Sequence, residues 1–158
     1  VYDLRNLDAA TEWQGAYDLV TNLFTSLGYF EEPQSMERIV GHFSGFLKPG
    51  GQLLLDYLNP ETLARQLVPQ ERVIKGGTDF KIHRRIHNGW IEKSIEFVSD
   101  GKRHHHVERV QVLTKATFLD ALLDAGLEVL QVWGDYNLAT WKPDSPRTMI
   151  LAQKPTNI

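Results

Sequence analysis

The sequence predicts an α/β fold: a mainly parallel sheet with an antiparallel final strand, carrying an inserted antiparallel β-meander. Three observations predict it. Apolar strand-like runs alternate with helical stretches before Glu71, the rhythm of parallel strands with crossover helices. Gly76-Gly77, Asn88-Gly89 and Asp100-Gly101 then follow as hairpin turn signals. Finally, one helical period and two strand-like runs joined without a helix close the chain, and such strands pair antiparallel.

Taken in order, Tyr17-Asp18-Leu19-Val20-Thr21-Asn22-Leu23-Phe24 is mostly apolar, as a strand buried on both faces requires. Glu31-Glu32-Pro33 places acid and proline at a helix start. Met36, Ile39, Val40, Phe43 and Leu47 recur at helical spacing and form one apolar stripe. Lys48-Pro49-Gly50-Gly51 stops that helix, and Gln52-Leu53-Leu54-Leu55-Asp56-Tyr57 is a second buried strand. Asn59-Pro60-Glu61 is an N-cap with proline at the first helical position, opening a short helix that Pro69 ends.

Between the turn pairs lie strand-like runs, Phe80 to His87, Trp90 to Val98 and Arg103 to Leu113, which make a four-stranded meander. From Lys115 the helical period returns, with Phe118, Leu119, Leu122 and Leu123 as the buried stripe and Gly126 as the stop. Leu127 to Trp133 is a strand, Gly134 to Pro146 a long loop, and Arg147 to Gln153 the last strand. The organisation expected is therefore a core part over residues 1–69, the meander over 70–114 and the end of the core over 115–158.

A chain of 158 residues fits one domain or most of one and is long enough for a hydrophobic core. Apolar residues at 42%, charged residues at 23% and a net charge of −3 make no global demand for a nucleic acid or a membrane. The absence of cysteine excludes a disulfide framework and thiolate metal sites, and it fits a reducing cytoplasm. No apolar run approaches the ~20 residues of a membrane span. Val1-Tyr2-Asp3-Leu4-Arg5 lacks the pattern of a signal peptide and reads as the end of a strand entered partway.

Several segments, in this order, resemble the class I, Rossmann-like S-adenosylmethionine-dependent methyltransferases. Asp3-Leu4-Arg5-Asn6-Leu7 is similar to the segment after the third strand of that family, and Tyr17 to Phe30 to its fourth strand and following loop. Leu47-Lys48-Pro49-Gly50-Gly51 followed by Leu53-Leu54-Leu55-Asp56 resembles the approach to the fifth strand. Ala125-Gly126-Leu127 and the final strand pair match the ending of the fold. The meander falls where the branch containing small-molecule and amino-sugar N-methyltransferases inserts strands over the substrate pocket. The family's Gly-x-Gly-x-Gly loop and the acidic end of its second strand have no counterpart here. The resemblance therefore implies a C-terminal part of the enzyme, with the glycine-rich half outside these residues and little activity in isolation.

The resemblance implies S-adenosyl-L-methionine as cofactor and a small molecule as methyl acceptor. It assigns Asp3, with Leu4 beside it, to the adenine, and Thr21, Asn22 and Leu23 to the methionine part. Phe24 and Tyr29 suit adenine, acceptor or the sulfonium cation, which an aromatic face attracts; Phe24 is equally suited to core packing. Ligands of parallel sheets bind outside the carboxyl ends of strands, here Thr21 to Phe24, Asp56 to Asn59 and Trp133 to Asn137. That expectation puts Asp56, Tyr57 and Asn59 on the acceptor side, with Tyr136 and Asn137 on the far wall. Asp56 and Tyr57 are the candidates for a general base.

The histidines carry a weaker signal. His104 and His106 share one strand face and His105 the other, no carboxylate completes a site with them, and no metal is expected. Between Glu71 and Lys115 the chain holds ten Lys or Arg against six Asp or Glu, a local balance of +4. That balance raises an RNA-modifying methyltransferase as an alternative, although no RNA-binding signature accompanies it. A non-catalytic module that forms a homodimer through the meander is the other alternative.

Overall fold

A computed structural model describes residues 3–32 and 35–156. Two four-stranded sheets organise them, one in the order β1-β2-β8-β7 and one in the order β3-β4-β5-β6. The first sheet contains β1 (Tyr17–Asn22), β2 (Leu47–Leu58), β7 (Glu128–Trp133) and β8 (Arg147–Gln153). β1 and β2 are parallel, while β8 lies antiparallel between β2 and β7, so β1, β2 and β7 all point the same way. The final strand is thus the single reversed one among the described residues of this sheet.

Helix α1 (Ser35–Phe46) forms because its apolar residues share one face: Met36, Ile39, Val40, Phe43 and Phe46 are all buried. Glu31 and Glu32 precede the helix, and Pro33, part of the expected start, lies outside the described residues. The turn expected at Lys48-Pro49-Gly50-Gly51 is a bulge inside β2. Tyr17 faces Leu47 and Leu19 already faces Gln52, so the extra residues loop out, with Gly50 at φ +78°. Side chains at Gly51 are excluded, because a Cβ there would stand 2.9 Å from the Lys48 carbonyl oxygen. The segment at Leu4 is the beginning of a 3-10 turn rather than a strand end, and Val1 and Tyr2 are outside the described residues.

Burial corrects two further expectations. β1 is not covered on both faces: Tyr17 and Leu19 are exposed, and the strand is an edge of its sheet among the described residues. Helix α3 (Lys115–Asp124), capped by the Thr114 hydroxyl, buries Phe118, Ala121 and Leu122. Leu123 is 74% exposed, because its neighbour Leu122 takes the core-facing position and 100° of rotation carries Leu123 outward. The Leu127 amide returns to the Leu122 carbonyl at 2.9 Å and Gly126 takes φ +71°, which closes the helix end. Helix α2 (Pro60–Gln66) opens on Asn59 as expected and ends at Gln66, before Pro69.

The second sheet is the expected meander, made of β3 (Gln70–Lys75), β4 (Thr78–His87), β5 (Trp90–Ser99) and β6 (Lys102–Gln111). Its connecting turns, Gly76-Gly77, Asn88-Gly89 and Asp100-Gly101, all take positive φ at both positions. The meander meets the core at the end of β6. There the Tyr57 hydroxyl donates to the Gln111 carbonyl at 2.8 Å, and the Gln111 side chain donates to the Phe30 carbonyl at 2.8 Å. Arg109 adds an ion pair to Glu31 at 2.9 Å and lies 4.6 Å from the centre of the Trp90 ring.

Candidate active site

The carboxyl ends of β1, β2 and β7 converge on one carboxylate. Asp56 sits near the end of β2, where alternation turns its side chain away from that of Tyr57. It is 2% exposed. Arg147, at the start of the neighbouring antiparallel strand, pairs with Leu58, and Met149 pairs with Asp56. Arg147 is therefore Asp56's diagonal neighbour on the same sheet face. Its Nε and Nη2 donate to Asp56 Oδ1 at 2.9 and 2.6 Å.

The other carboxylate oxygen, Oδ2, accepts the Phe24 backbone N–H at 3.0 Å and the Tyr136 hydroxyl at 3.0 Å. Asp56 thus joins the turn after β1 to the loop after β7. Burial, followed by the hydrogen bond to Asp56, raises the Tyr136 phenol above its ordinary range. The Arg147 guanidinium carbon lies 5.5 Å from the centre of the Tyr136 ring.

The turn after β1 is strained. Phe24 and Thr25 take φ +57° and +66°, although neither is glycine. Each left-handed residue of this kind costs roughly 1–2 kcal/mol. Hydrogen bonds to β2 offset that cost: the Thr25 amide donates to the Asp56 carbonyl at 3.1 Å, and the Thr25 hydroxyl accepts the Leu58 amide at 3.2 Å. Ser26 Oγ donates to Asn22 Oδ1 at 3.0 Å and so fixes the last side chain of β1. The consequence is that Phe24, 74% exposed, projects its ring from the rim.

The structure separates the expected site residues. Asn22, Leu23, Phe24, Asp56 and Tyr136 come together around the Asp56 carboxylate and the turn it holds. Asp3 and Tyr29 lie apart from them, lining an open pocket of about 600 Å³ with Phe30, Glu31 and Glu32. Thr21 is exposed on β1, and Asn137 is exposed in a turn where its amide donates to the Asp135 carboxylate at 2.8 Å. Leu4 departs from the adenine assignment in its surroundings: it packs against the core and lines an apolar cleft with Leu7, Trp13 and Phe43.

Three acceptor-side candidates are already engaged. All four lone-pair directions of the Asp56 carboxylate have donors, so none is left to receive a substrate proton. Burial, and secondarily the charge of Tyr29, pushes the Tyr57 phenol far above its ordinary range. Its hydroxyl is bonded to Gln111 and its ring packs on Phe118 at 4.9 Å, which opposes service as a base. Asn59 caps α2 through Oδ1, and its Nδ2 donates to the Pro143 and Ser145 carbonyls at 3.2 and 2.9 Å. It is a staple between α2 and the loop after β7.

Thr25, Ser26 and Arg147 belong to the site and were not expected from the sequence. Arg147 carries no motif; only the strand register discloses that it faces Asp56. Among the described residues no cluster of His, Cys, Asp and Glu is arranged to hold a metal ion. His104 and His106 flank the Phe97 ring instead, at 4.8 and 5.9 Å. Most meander cations are paired, including Arg72 with Asp79, Arg84 with Glu71, Arg85 with Glu92 and Lys93 with Glu108.

No family model matches the sequence, and no curated relative matches it. Solved structures do match it. An S-adenosylmethionine-dependent methyltransferase from Clostridium acetobutylicum superposes with a TM-score of 0.82 at 18% identity, covering 98% of this chain and 63% of that one. The methyltransferase CcbJ from Streptomyces caelestis gives 0.81 at 15% identity over 98% of this chain and 62% of its own. The S-adenosylmethionine-bound amino pentose methyltransferase CalS10 from Micromonospora echinaspora gives 0.69 at 20% identity, over 97% of this chain and 63% of its own. The chain therefore spans less than two thirds of the length of each of these neighbours. What these likenesses share is architecture: the chain has the fold of the class I S-adenosylmethionine-dependent methyltransferases.

Proposed function

We propose that this chain is the C-terminal part of an S-adenosylmethionine-dependent methyltransferase acting on a small-molecule acceptor. One observation carries the reading: three strand ends of a methyltransferase-like sheet are tied together at Asp56, and an exposed aromatic is held there on a strained turn. Strain of this kind clusters at functional sites. The cofactor would supply a methyl group already activated on a sulfonium, so the protein's task is to orient the acceptor and take up its proton.

In this reading Asp3 accepts a hydrogen bond from the adenine. Asn22 and Leu23 approach the methionine part, and the Phe24 ring faces the sulfonium. Asp3 and Tyr29 line one pocket, and Tyr29 ends the 3-10 turn Ser26–Tyr29 that follows Phe24 and Thr25, which suits an extended ligand along the rim. Tyr29, Tyr136 and Asn137 line the acceptor side. Asp56, Tyr57 and Asn59 serve as its scaffold, for the reasons their hydrogen bonds give. The glycine-rich half of the cofactor site is supplied from outside residues 1–158, in keeping with the share of the neighbours' length that the chain spans. The meander, braced on the Tyr29–Glu31 segment by Gln111 and Arg109, acts as a lid over the acceptor or as the contact between two copies.

The test is methyl transfer by the longest natural chain containing this sequence, assayed with labelled S-adenosylmethionine against amino sugars and other small amines. Label transfer to a small molecule is expected. Transfer only to RNA would replace this reading with the RNA-modifying one.

A further inference from the structure

The Asp56–Arg147 pair is placed to do more than fill the core. Arg147 is bound on its backbone side as well: its amide donates to the Gly134 carbonyl at 2.9 Å, fixing it to the loop that carries Tyr136. Its guanidinium reaches Asp56 twice and Thr25 Oγ1 at 3.4 Å, and it lies beside the Tyr136 ring. One side chain therefore contacts the β1 turn, the end of β2 and the loop after β7. The side chain of Arg147 is 19% exposed and that of Asp56 1%, so the pair is largely out of water.

We propose that Arg147 is a positioning residue: by neutralising Asp56 it holds the strained Phe24–Thr25 turn and the Tyr136 hydroxyl in one arrangement. This rests on the methyltransferase reading, in which Phe24 faces the cofactor and Tyr136 the acceptor. Asp56 Oδ2 is shared between the Phe24 amide and the Tyr136 hydroxyl, so whatever turns the carboxylate releases both. A buried carboxylate stripped of its cation cannot stay where it is without cost and rotates toward water. The left-handed turn then loses one of the bonds that hold it, from the Phe24 amide to Asp56 Oδ2, and loosens at Phe24, taking the ring with it. Cofactor and acceptor sides of the rim are in this way set by a single ion pair.

The experiment compares the wild-type full-length protein with Arg147→Met and Arg147→Lys. Amide hydrogen exchange is read at Phe24 and Thr25, and the dissociation constant for S-adenosylhomocysteine is measured by calorimetry. Arg147→Met is expected to speed exchange at Phe24 and Thr25 about tenfold, the loss of roughly one hydrogen bond's net contribution, while amides in the middle of β2 keep their rates. S-adenosylhomocysteine is expected to bind about tenfold more weakly, in proportion to that loosening. Lysine keeps the charge and loses the fork, so Arg147→Lys is expected to fall between the two. Should Arg147→Met fail to fold, Arg147→Lys carries the same comparison.

Lowered melting temperature with wild-type exchange at Phe24 and an unchanged dissociation constant would overturn the proposal and leave an ordinary structural ion pair. If the wild type binds no S-adenosylhomocysteine, the cofactor reading fails. The exchange rates then still decide whether Arg147 holds the turn.

Discussion

Gly28 has no room for a side chain, and its replacement has two coupled effects. A Cβ at this position would stand 2.1 Å from the Tyr57 hydroxyl oxygen, 3.0 Å from the ring carbon that carries it and 2.5 Å from Val110 Cγ1. Gly28→Ala must therefore push Tyr57 off the Gln111 carbonyl and β6 off the turn after β1. Overpacking of this kind costs about 1–3 kcal/mol. Tyr57→Phe removes the hydroxyl and leaves the Gln111 carbonyl to the Leu113 amide at 3.1 Å, the loss of one hydrogen bond's net contribution of about 0.5–1.5 kcal/mol.

The two costs overlap, because the alanine methyl displaces the same hydroxyl that the phenylalanine lacks. In the Tyr57→Phe background the closest obstacle is gone and the clash with Val110 remains. The double variant should therefore be more stable than the sum of the single effects by about 0.5–3 kcal/mol, the range found for residues in contact. For a chain of 158 residues, each kcal/mol moves the melting temperature by about 2–4 °C, so thermal unfolding followed by circular dichroism resolves the cycle. Strict additivity, or a Gly28→Ala variant as stable as wild type, would show that the turn and the meander do not meet as described.

Two further predictions concern the core. Leu122→Ala should cost about 2–5 kcal/mol in urea unfolding, whereas Leu123→Ala should stay within about 0.5 kcal/mol, since the former side chain is fully buried and the latter 74% exposed. Comparable losses at both positions would mean that α3 is rotated. The pH dependence follows from Tyr57, whose phenol is raised in the folded chain chiefly by burial. A group with a raised folded pKa contributes stability that is present below its unfolded value, about 10, and declines as the pH climbs from there toward the folded value. Stability should consequently fall above about pH 10, with a contribution approaching about 1.4 kcal/mol per pH unit from this residue. Tyr57→Phe should remove that contribution, and an alkaline slope identical to that of wild type would assign the loss to other groups.

The meander and its turns were legible because their signals are local. A pair such as Asn88-Gly89 takes positive φ by its own chemistry, whatever surrounds it. The cap at Asn59 and the stripe of α1 were legible for the same reason. The exposure of β1 was not, since an apolar strand reads alike whether or not a neighbour covers it, and pairing is a property of the whole sheet. Leu123 misled because two adjacent leucines both fit a helical stripe, while only one can face the core.

At the site, the convergence of three strand ends followed from the rule that ligands gather at the carboxyl edge of parallel strands. The roles of individual side chains did not follow. Asp56 invites a catalytic reading by residue type, and its occupied lone pairs appear only once Arg147 and Tyr136 are placed beside it. Those partners are 91 and 80 residues away in the chain, and no spacing rule connects them. The left-handed turn was equally hidden, since Phe24 and Thr25 have no intrinsic preference for positive φ and are held there by β2.

If this sheet edge forms one half of a cofactor site, calorimetric titration with S-adenosylhomocysteine should separate residues 1–158 from the same chain extended at its amino end. Saturable binding by the extended chain, abolished or strongly weakened in residues 1–158, is the expected pair of results. Micromolar binding to residues 1–158 alone would place the whole site within them and rule out a divided one.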